Sequence, residues 1–376
     1  MSQPSEQAAL LGSRIRIARE RLNLSQEKLA SKVGFNSAQI ISTIESGVRE
    51  LKVSELNRIA NSLKTSIDAL LNSDLQVEPK FLWREQPEAG FEQNQAIFLR
   101  RCERYGLVEK WCDILGHHKP MPIVSLTARP SYGEVQAQAE QVRNFLQLGG
   151  RPACALEKTL QEDQGVKIFY GDLGPAGGGS AFSVKSWFGE AVLLNSCEAP
   201  WRRNYSLAHE LFHLLVPDDS MTLSKDQIEI LANVFAAALL LPAEHLLAAV
   251  STRESSGKIS YEGLIEIARE FDVSIDALLW RLVNLGRFES QKAKELCGSK
   301  VLRTMDKASF PAREKRNPLP ERYIRLCFFA YRQGLMGLAK MAEFLETGIV
   351  DLAEQVRDID SELATGEEAE VTFVRC

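Results

Sequence analysis

The sequence predicts an α+β protein that is mainly α. Three observations carry that prediction. Apolar residues recur at helical spacing along most of the chain, beginning with Leu10, Leu11, Ile15 and Ala18. One stretch alone, residues 166–195, holds short apolar runs parted by turn residues, the pattern of strands. And 376 residues with 45% hydrophobic content are enough for two or three domains, each with a core.

The first element, a helix with its stripe of Leu10, Leu11, Ile15, Ile17 and Ala18, opens a run of five short helices over residues 8–72. Ser25 is placed to cap a second helix, Gln26 to Lys32, which Gly34 closes. Asn36 is expected to cap a third, with Gln39 at capping-box spacing. Leu56, Ile59, Ala60 and Leu63 mark the fourth, and Ser66 the start of the fifth. Residues 1–72 carry ten Lys and Arg against seven Asp and Glu, whereas the whole chain has net charge −5. The protein as a whole is therefore no polycation that grips nucleic acid indiscriminately.

Residues 73–125 read as a connecting segment with a helix near Gln95–Tyr105. His117 and His118, between Gly116 and Pro120, read as a surface pair in a loop. An amphipathic helix (Val135, Ala139, Val142, Phe145, Leu146) and a second near Ala153–Glu162 precede three expected strands, Val166–Tyr170, Ser180–Val184 and Ala191–Asn195. Gly177–Gly179 has no Gly-Lys-[Ser/Thr] after it, so it reads as a tight turn, not a phosphate loop. The Ser180–Val184 strand is expected to be an edge on which an extended polypeptide can pair.

His209, Glu210 and His213 form H-E-x-x-H. On a helix, positions i and i+4 share a face, so both imidazoles can reach one metal ion, and Glu210 is placed to take a proton from the attacking water. Zinc needs a third protein ligand. A helix capped by Ser224 and ending before Pro242 puts Glu229, Ala232, Asn233 and Ala236 on one face, small except for its carboxylate, and Glu229 is the expected ligand. Asp226 lies a turn earlier, and Glu244 and His245 follow Pro242, where the register breaks. Cys197 is a candidate inhibitory thiolate, and Arg203 and Tyr205 are candidates either for oxyanion contacts or for packing. Further on, Leu264–Leu279 repeats Leu56–Leu71, sharing Ser-Ile-Asp-Ala-Leu-Leu; shared helix-turn chemistry explains this better than a second DNA-reading module. From Phe310 the chain reads as helical, with Leu338, Leu345 and Leu352 as packing residues and an acidic tail.

Two segments resemble known families. Leu24-Ser25-Gln26-Glu27-Lys28-Leu29-Ala30, Ile44-Glu45-Ser46-Gly47 and Leu56-x-x-Ile59-Ala60 resemble the XRE (Cro-type) helix-turn-helix family over about 65 residues. The resemblance implies that Gln26 contacts the phosphate backbone of an operator in double-stranded DNA. It also implies that the helix from Ser37 to Ser42 faces base edges; Ser37, Gln39 and Ser42 either read bases there or solvate a surface helix. Asn204 to Leu215, with Glu229-x-x-Ala232-Asn233-x-Phe235-Ala236 and Leu239 to Pro242, resembles the ImmA/IrrE metallopeptidases from about residue 130 to 290. That resemblance implies a zincin-like fold, Zn2+ on His209, His213 and Glu229, Glu210 as catalytic group, and an XRE-type repressor as protein substrate.

The expected domains are 1–75, the helix-turn-helix domain; 76–125, a connecting segment; 126–295, the peptidase domain with a three-stranded sheet; and 296–376, a helical region. XRE domains act as dimers on two half-sites, so a homodimer is expected. Seven scattered cysteines without a C-x-x-C pair, a start lacking a basic-then-apolar leader, and a longest apolar run of only Val234–Ala243 predict a cytoplasmic protein without membrane contact. Two functions accept these domains: a zinc endopeptidase located by its DNA-binding domain, and a transcription factor whose peptidase-like domain senses or assembles.

Overall fold

Serine caps set the starts of many helices. Ser25, Ser131, Ser224, Ser260 and Ser274 each hold extended backbone and accept the amide three residues on. In the computed structural model the described residues are 6–22, 24–63, 65, 67–71, 80–83, 91–174, 181–216, 221–308 and 317–365. The expected Gly177–Gly179 turn, the Ser66 cap and the end of the acidic tail lie outside them.

The first unit comprises α1 (Glu6–Arg21), α2 (Gln26–Val33), α3 (Ala38–Glu45), α4 (Val53–Ser62) and α5 (Ile67–Leu71). Its own core is built on Ile15, Leu29, Ile41, Ile44, Ile59 and Leu70. Gly34, at φ 74°, turns the chain between α2 and α3. The cap of α3 is Ser37 rather than Asn36, and its side chain makes no capping hydrogen bond.

The chain continues through β1 (Lys80–Trp83), α6 (Phe91–Trp111), α7 (Tyr132–Phe145), α8 (Pro152–Glu162), β2 (Lys167–Gly171), β3 (Ala181–Ser186) and β4 (Gly189–Asn195). Among the described residues the sheet has four strands, not three, in the order β1-β3-β4-β2. The fourth comes from the connecting segment: Lys80 to Trp83 pair antiparallel with Lys185 to Phe182. β3 is therefore interior, and the expected free edge at residues 180–184 is filled by the chain itself. β3 and β4 form a hairpin, while β2 and β4 run parallel, Lys167 opposite Ala191. Strands buried on both faces read as continuous apolar runs. Here Ile168, Tyr170, Val192 and Leu194 face one core, and Phe169, Ala191 and Leu193 the other.

After the sheet come α9 (Pro200–Leu215), α10 (Lys225–Leu240), α11 (Ala243–Arg253), α12 (Tyr261–Glu270), α13 (Ile275–Asn284), α14 (Ser290–Gly298) and α15 (Lys300–Ala308). They join α7 and α8 in the larger core, which reaches to Leu302. The repeated segment lies in α12 and α13, and its Leu264, Ile267, Leu278 and Leu279 are buried in that core. Its resemblance to α4 and α5 is thus helix-turn chemistry put to packing use.

The last helices, α16 (Glu321–Arg332), α17 (Leu338–Phe344) and α18 (Ile349–Thr365), pack with α6 on the opposite face of the sheet. The connecting segment and the C-terminal helices thus share one core. At its centre the Glu109 carboxylate pairs with Lys167 Nζ at 2.7 Å and Arg322 Nη1 at 2.6 Å, and His118 Nε2 lies at 3.1 Å. His118 is not a surface residue: a Cβ at Gly165 would sit 2.2 Å from its ring, so glycine there admits it. His117 is exposed, as expected of the loop. Among the described residues no single helix is long and apolar enough to cross a membrane; α10 and α11 together are, but they bend by 65° and α10 is largely buried in the core.

Candidate metal centre

Pro200 opens α9 at a position where its missing N–H costs nothing, and nine of the residues that follow are buried. α10 begins with a capping box, Ser224 and Gln227 exchanging side-chain and backbone bonds. The two helices lie side by side, and Ala232 and Ala236, both fully buried, let them approach closely.

Along the seam, i,i+4 neighbours on α9 meet i,i+4 neighbours on α10. Tyr205 Oη donates to the Asn233 carbonyl at 2.9 Å. His209 Nδ1 lies 3.1 Å from Asn233 Oδ1, and its Nε2 lies 3.1 Å from Glu229 Oε2. His213 Nε2 is 3.3 Å from Glu229 Oε1 and 3.2 Å from His209 Nε2. Two imidazole nitrogens and a carboxylate thus converge on one point, each within 4.8 Å of the others. Burial alone would raise the Glu229 carboxyl, but hydrogen bonds from His209 and His213 and their charge hold it down to about 2. His209 and Glu210 are fully buried, and His213 is nearly so.

This donor set suits a divalent ion of borderline softness: two imidazoles, one carboxylate, and no fourth His, Cys, Asp or Glu among the described residues in the group. Asp226 is exposed in the first turn of α10 and does not join it. The Cys197 thiol donates to Asp172 instead. Arg203 is buried with its guanidinium 5.4 Å from the Tyr170 ring centre, so it packs α9 onto the sheet. Sequence reading placed Asn233 on the ligand face but gave it no task; its i+4 spacing from Glu229 was the available signal.

Beside the seam is a cavity of about 850 Å³, lined by Trp201, Tyr205, Ile230, Asn233, Trp280 and Arg303 among others. In the N-terminal unit, Gln26 Nε2 donates to Glu45 Oε2 at 2.8 Å, and Arg19 donates to both oxygens of the same carboxylate. Ser37 and Gln39 are exposed on α3, and Ser42 is half-buried.

Fold and site define a class: a small helical unit joined to a unit with a metallopeptidase-type donor set. The family comparisons say the same. Residues 15–70 match the helix-turn-helix family, and residues 161–283 match the family described as the IrrE N-terminal-like domain. The chain carries an XRE-type helix-turn-helix domain and an IrrE/ImmA-like metallopeptidase domain. It is 36% identical over 102 residues to the radiation response metalloprotease IrrE of Deinococcus deserti, a match spanning 24% of this chain and 35% of that protein. Two solved structures align at a TM-score of 0.16, too low to bear on the fold. They are Bacillus thuringiensis PlcR with the peptide PapR7 and DNA (13% identity, 96% of this chain, 100% of that one) and apo ComR from S. thermophilus (12%, 80% and 97%).

Proposed function

We propose that the protein is a zinc-dependent endopeptidase that cleaves an XRE-type repressor and is brought to it by its own DNA-binding domain. The observation that carries the reading is the convergence of His209, His213 and Glu229, with Glu210 next to His209 in the chain, a residue type that a purely structural metal site has no use for. Zinc bound there would polarise the scissile carbonyl and make the attacking water more acidic. Glu210 accepts the water's proton and returns it to the departing amine. Its burial keeps bulk water from competing for that proton. The cavity shares Tyr205 and Asn233 with the seam, and Ile230 and Trp280 are exposed at it, so it is suited to seat apolar side chains of a polypeptide.

In this reading residues 1–75 bind an operator, with Gln26 near phosphate and Ser37, Gln39 and Ser42 toward base edges, and act as a dimer. Residues 126–295 perform the cleavage, and the cytoplasm is where both partners are met. α6 and α16–α18, which share a core under the sheet, brace it.

The test incubates the zinc-loaded full chain with XRE-type regulators encoded near its gene, beside a Glu210→Gln variant. Cleavage by the first and not by the second is expected. Regulators left intact by both, together with tight operator binding, would instead make the peptidase domain a sensor or assembly module.

A further inference from the structure

The cavity beside the seam begins where the metal donors end. Ile230, on its α10 wall, follows Glu229 in the chain, and Tyr205, on its α9 wall, stands one turn before His209. Along α10 the lining continues through Asn233 to Ala237, about 10 Å of helix. α13 contributes Trp280, and α14 and α15 contribute Leu296 and Leu302. These last two helices lie beyond residues 161–283, so part of the lining is this chain's own addition to the IrrE-like unit.

The charged side chains that line the cavity are already matched. Arg202 faces Glu198 at 3.7 Å, Arg303 faces Asp276 at 3.9 Å, and Asp306 is bound by Arg269. No surplus charge is left to hold a phosphate or another ionic ligand. The large apolar side chains, by contrast, are left in water: Ile230 is 47% exposed and Trp280 40%. Behind them lie the buried Val234 and Leu302. At about 850 Å³ the cavity is far larger than one side chain needs. An extended polypeptide presents alternate side chains to one side, about 7 Å apart, so 10 Å of lining receives two of them.

We propose that this cavity is the subsite that selects the protein substrate: it takes two bulky apolar side chains at alternate positions of an extended segment, on one side of the cleaved bond, with Ile230 and Trp280 as the residues that choose them. Ala237 lies about 12 Å of helix past Glu229, the reach of about four extended residues, so the pair falls within that distance of the bond. The inference rests on the endopeptidase reading above, but its first readout needs neither metal nor turnover. The probe is a capped hexapeptide, acetyl-Ala-Ala-Leu-Ala-Phe-Ala-amide, beside its all-alanine counterpart. Added to metal-free full chain, the first should move the ¹H–¹⁵N indole signals of Trp201 and Trp280, and the second should not. Trp111 and Trp187, which pack against the core under the sheet, are the internal reference. The second readout is cleavage of longer peptides by the zinc-loaded full chain. For a peptide carrying the apolar pair, kcat/KM should fall roughly 10- to 100-fold in Trp280→Ala, the cost of leaving one large apolar side chain in water. Ile230→Ser should act in the same direction. Zinc content, and cleavage of a peptide with alanine at both positions, should not change in either variant.

Indole signals that ignore the Leu/Phe peptide, or answer equally to the all-alanine one, overturn the proposal. So does cleavage that favours the apolar pair no less in Trp280→Ala and Ile230→Ser than in the wild type. Free indole that binds more tightly than the peptide, without slowing cleavage, would make the cavity a small-molecule site and overturn it as well. Should Trp280→Ala fail to fold, the wild-type spectra and Ile230→Ser still decide. Selective indole shifts in a chain that cuts no peptide would leave the subsite standing and sink the endopeptidase reading.

Discussion

Glu109→Gln should destabilise the protein far more than a single isosteric change ordinarily does. The side chains of Glu109 and Lys167 are 0% and 1% exposed and that of Arg322 is 9% exposed. Removing the carboxylate's charge leaves Lys167 with the Gly165 carbonyl, and Arg322 with Tyr105 Oη and the half-exposed Glu162 at 3.7 Å. Breaking a buried pair in this way costs about 3–5 kcal/mol. For a cooperative unit of this size each kcal/mol moves the midpoint by about 2–4 °C, so a drop of roughly 6–20 °C is expected. Near-ultraviolet circular dichroism follows it, because Trp111 and Trp187 pack at this core. The stricter arm replaces Glu109, Lys167 and Arg322 together by Leu, Met and Met. With no charge left to strand, much of the lost stability should return. A midpoint for Glu109→Gln within about 2 °C of wild type would refute the reasoning, since it would mean that water reaches the cluster.

The same carboxylate gives the protein an acid limb. Burial alone would raise Glu109, but hydrogen bonds from His118, Lys167 and Arg322 and the Lys167 charge hold it down to about 2, against 4.5 for an ordinary glutamate. Folded protein therefore binds fewer protons than unfolded protein in that window, and stability should fall as pH drops from about 4.5 toward 2. Urea titrations at several pH values check this; an equal slope in Glu109→Gln would contradict it. Gly12→Ala should unfold the N-terminal unit selectively. Its Cβ would stand 2.4 Å from the Ile44 carbonyl oxygen, so α1 and α3 must part, at about 1–3 kcal/mol; DNA binding should weaken while zinc content holds, and loss of both would refute it. Phe235→Ala removes a buried ring whose centre lies 5.5 Å from that of Phe212, the two planes tilted by 55°. It should cost about 3–5 kcal/mol in denaturant melts, and a cost under about 1 kcal/mol would show that the seam does not depend on that packing.

The juxtaposition of His209, His213 and Glu229 was legible because its logic is local. H-E-x-x-H fixes two donors by helical period alone, and Glu229 was found by asking which neighbouring helix face is small enough to come close. The helix starts were legible where serine caps them. What escaped depended on partners distant in sequence. Lys80–Trp83 is a four-residue strand whose existence rests on β3 lying beside it. α6 was expected only near Gln95–Tyr105; in the fold it spans Phe91–Trp111 and runs through Gly106. A Cβ at Gly106 would lie 2.6 Å from Phe188, so this glycine lets the β3–β4 hairpin press against the helix rather than ending it. His118 likewise read as a loop residue, because nothing in its neighbourhood announces Glu109 or the space that Gly165 leaves. Asn233 sat in plain view on the right face, but its contact with His209 needs the two helices side by side.

The central claim, that His209, His213 and Glu229 together hold the metal, is tested most directly by zinc content per chain in purified wild type and single variants. One zinc per wild-type chain, loss in His213→Ala and in Glu229→Ala, and retention in Asp226→Ala is the predicted pattern. Full zinc in Glu229→Ala, or an equal loss in Asp226→Ala, would contradict it.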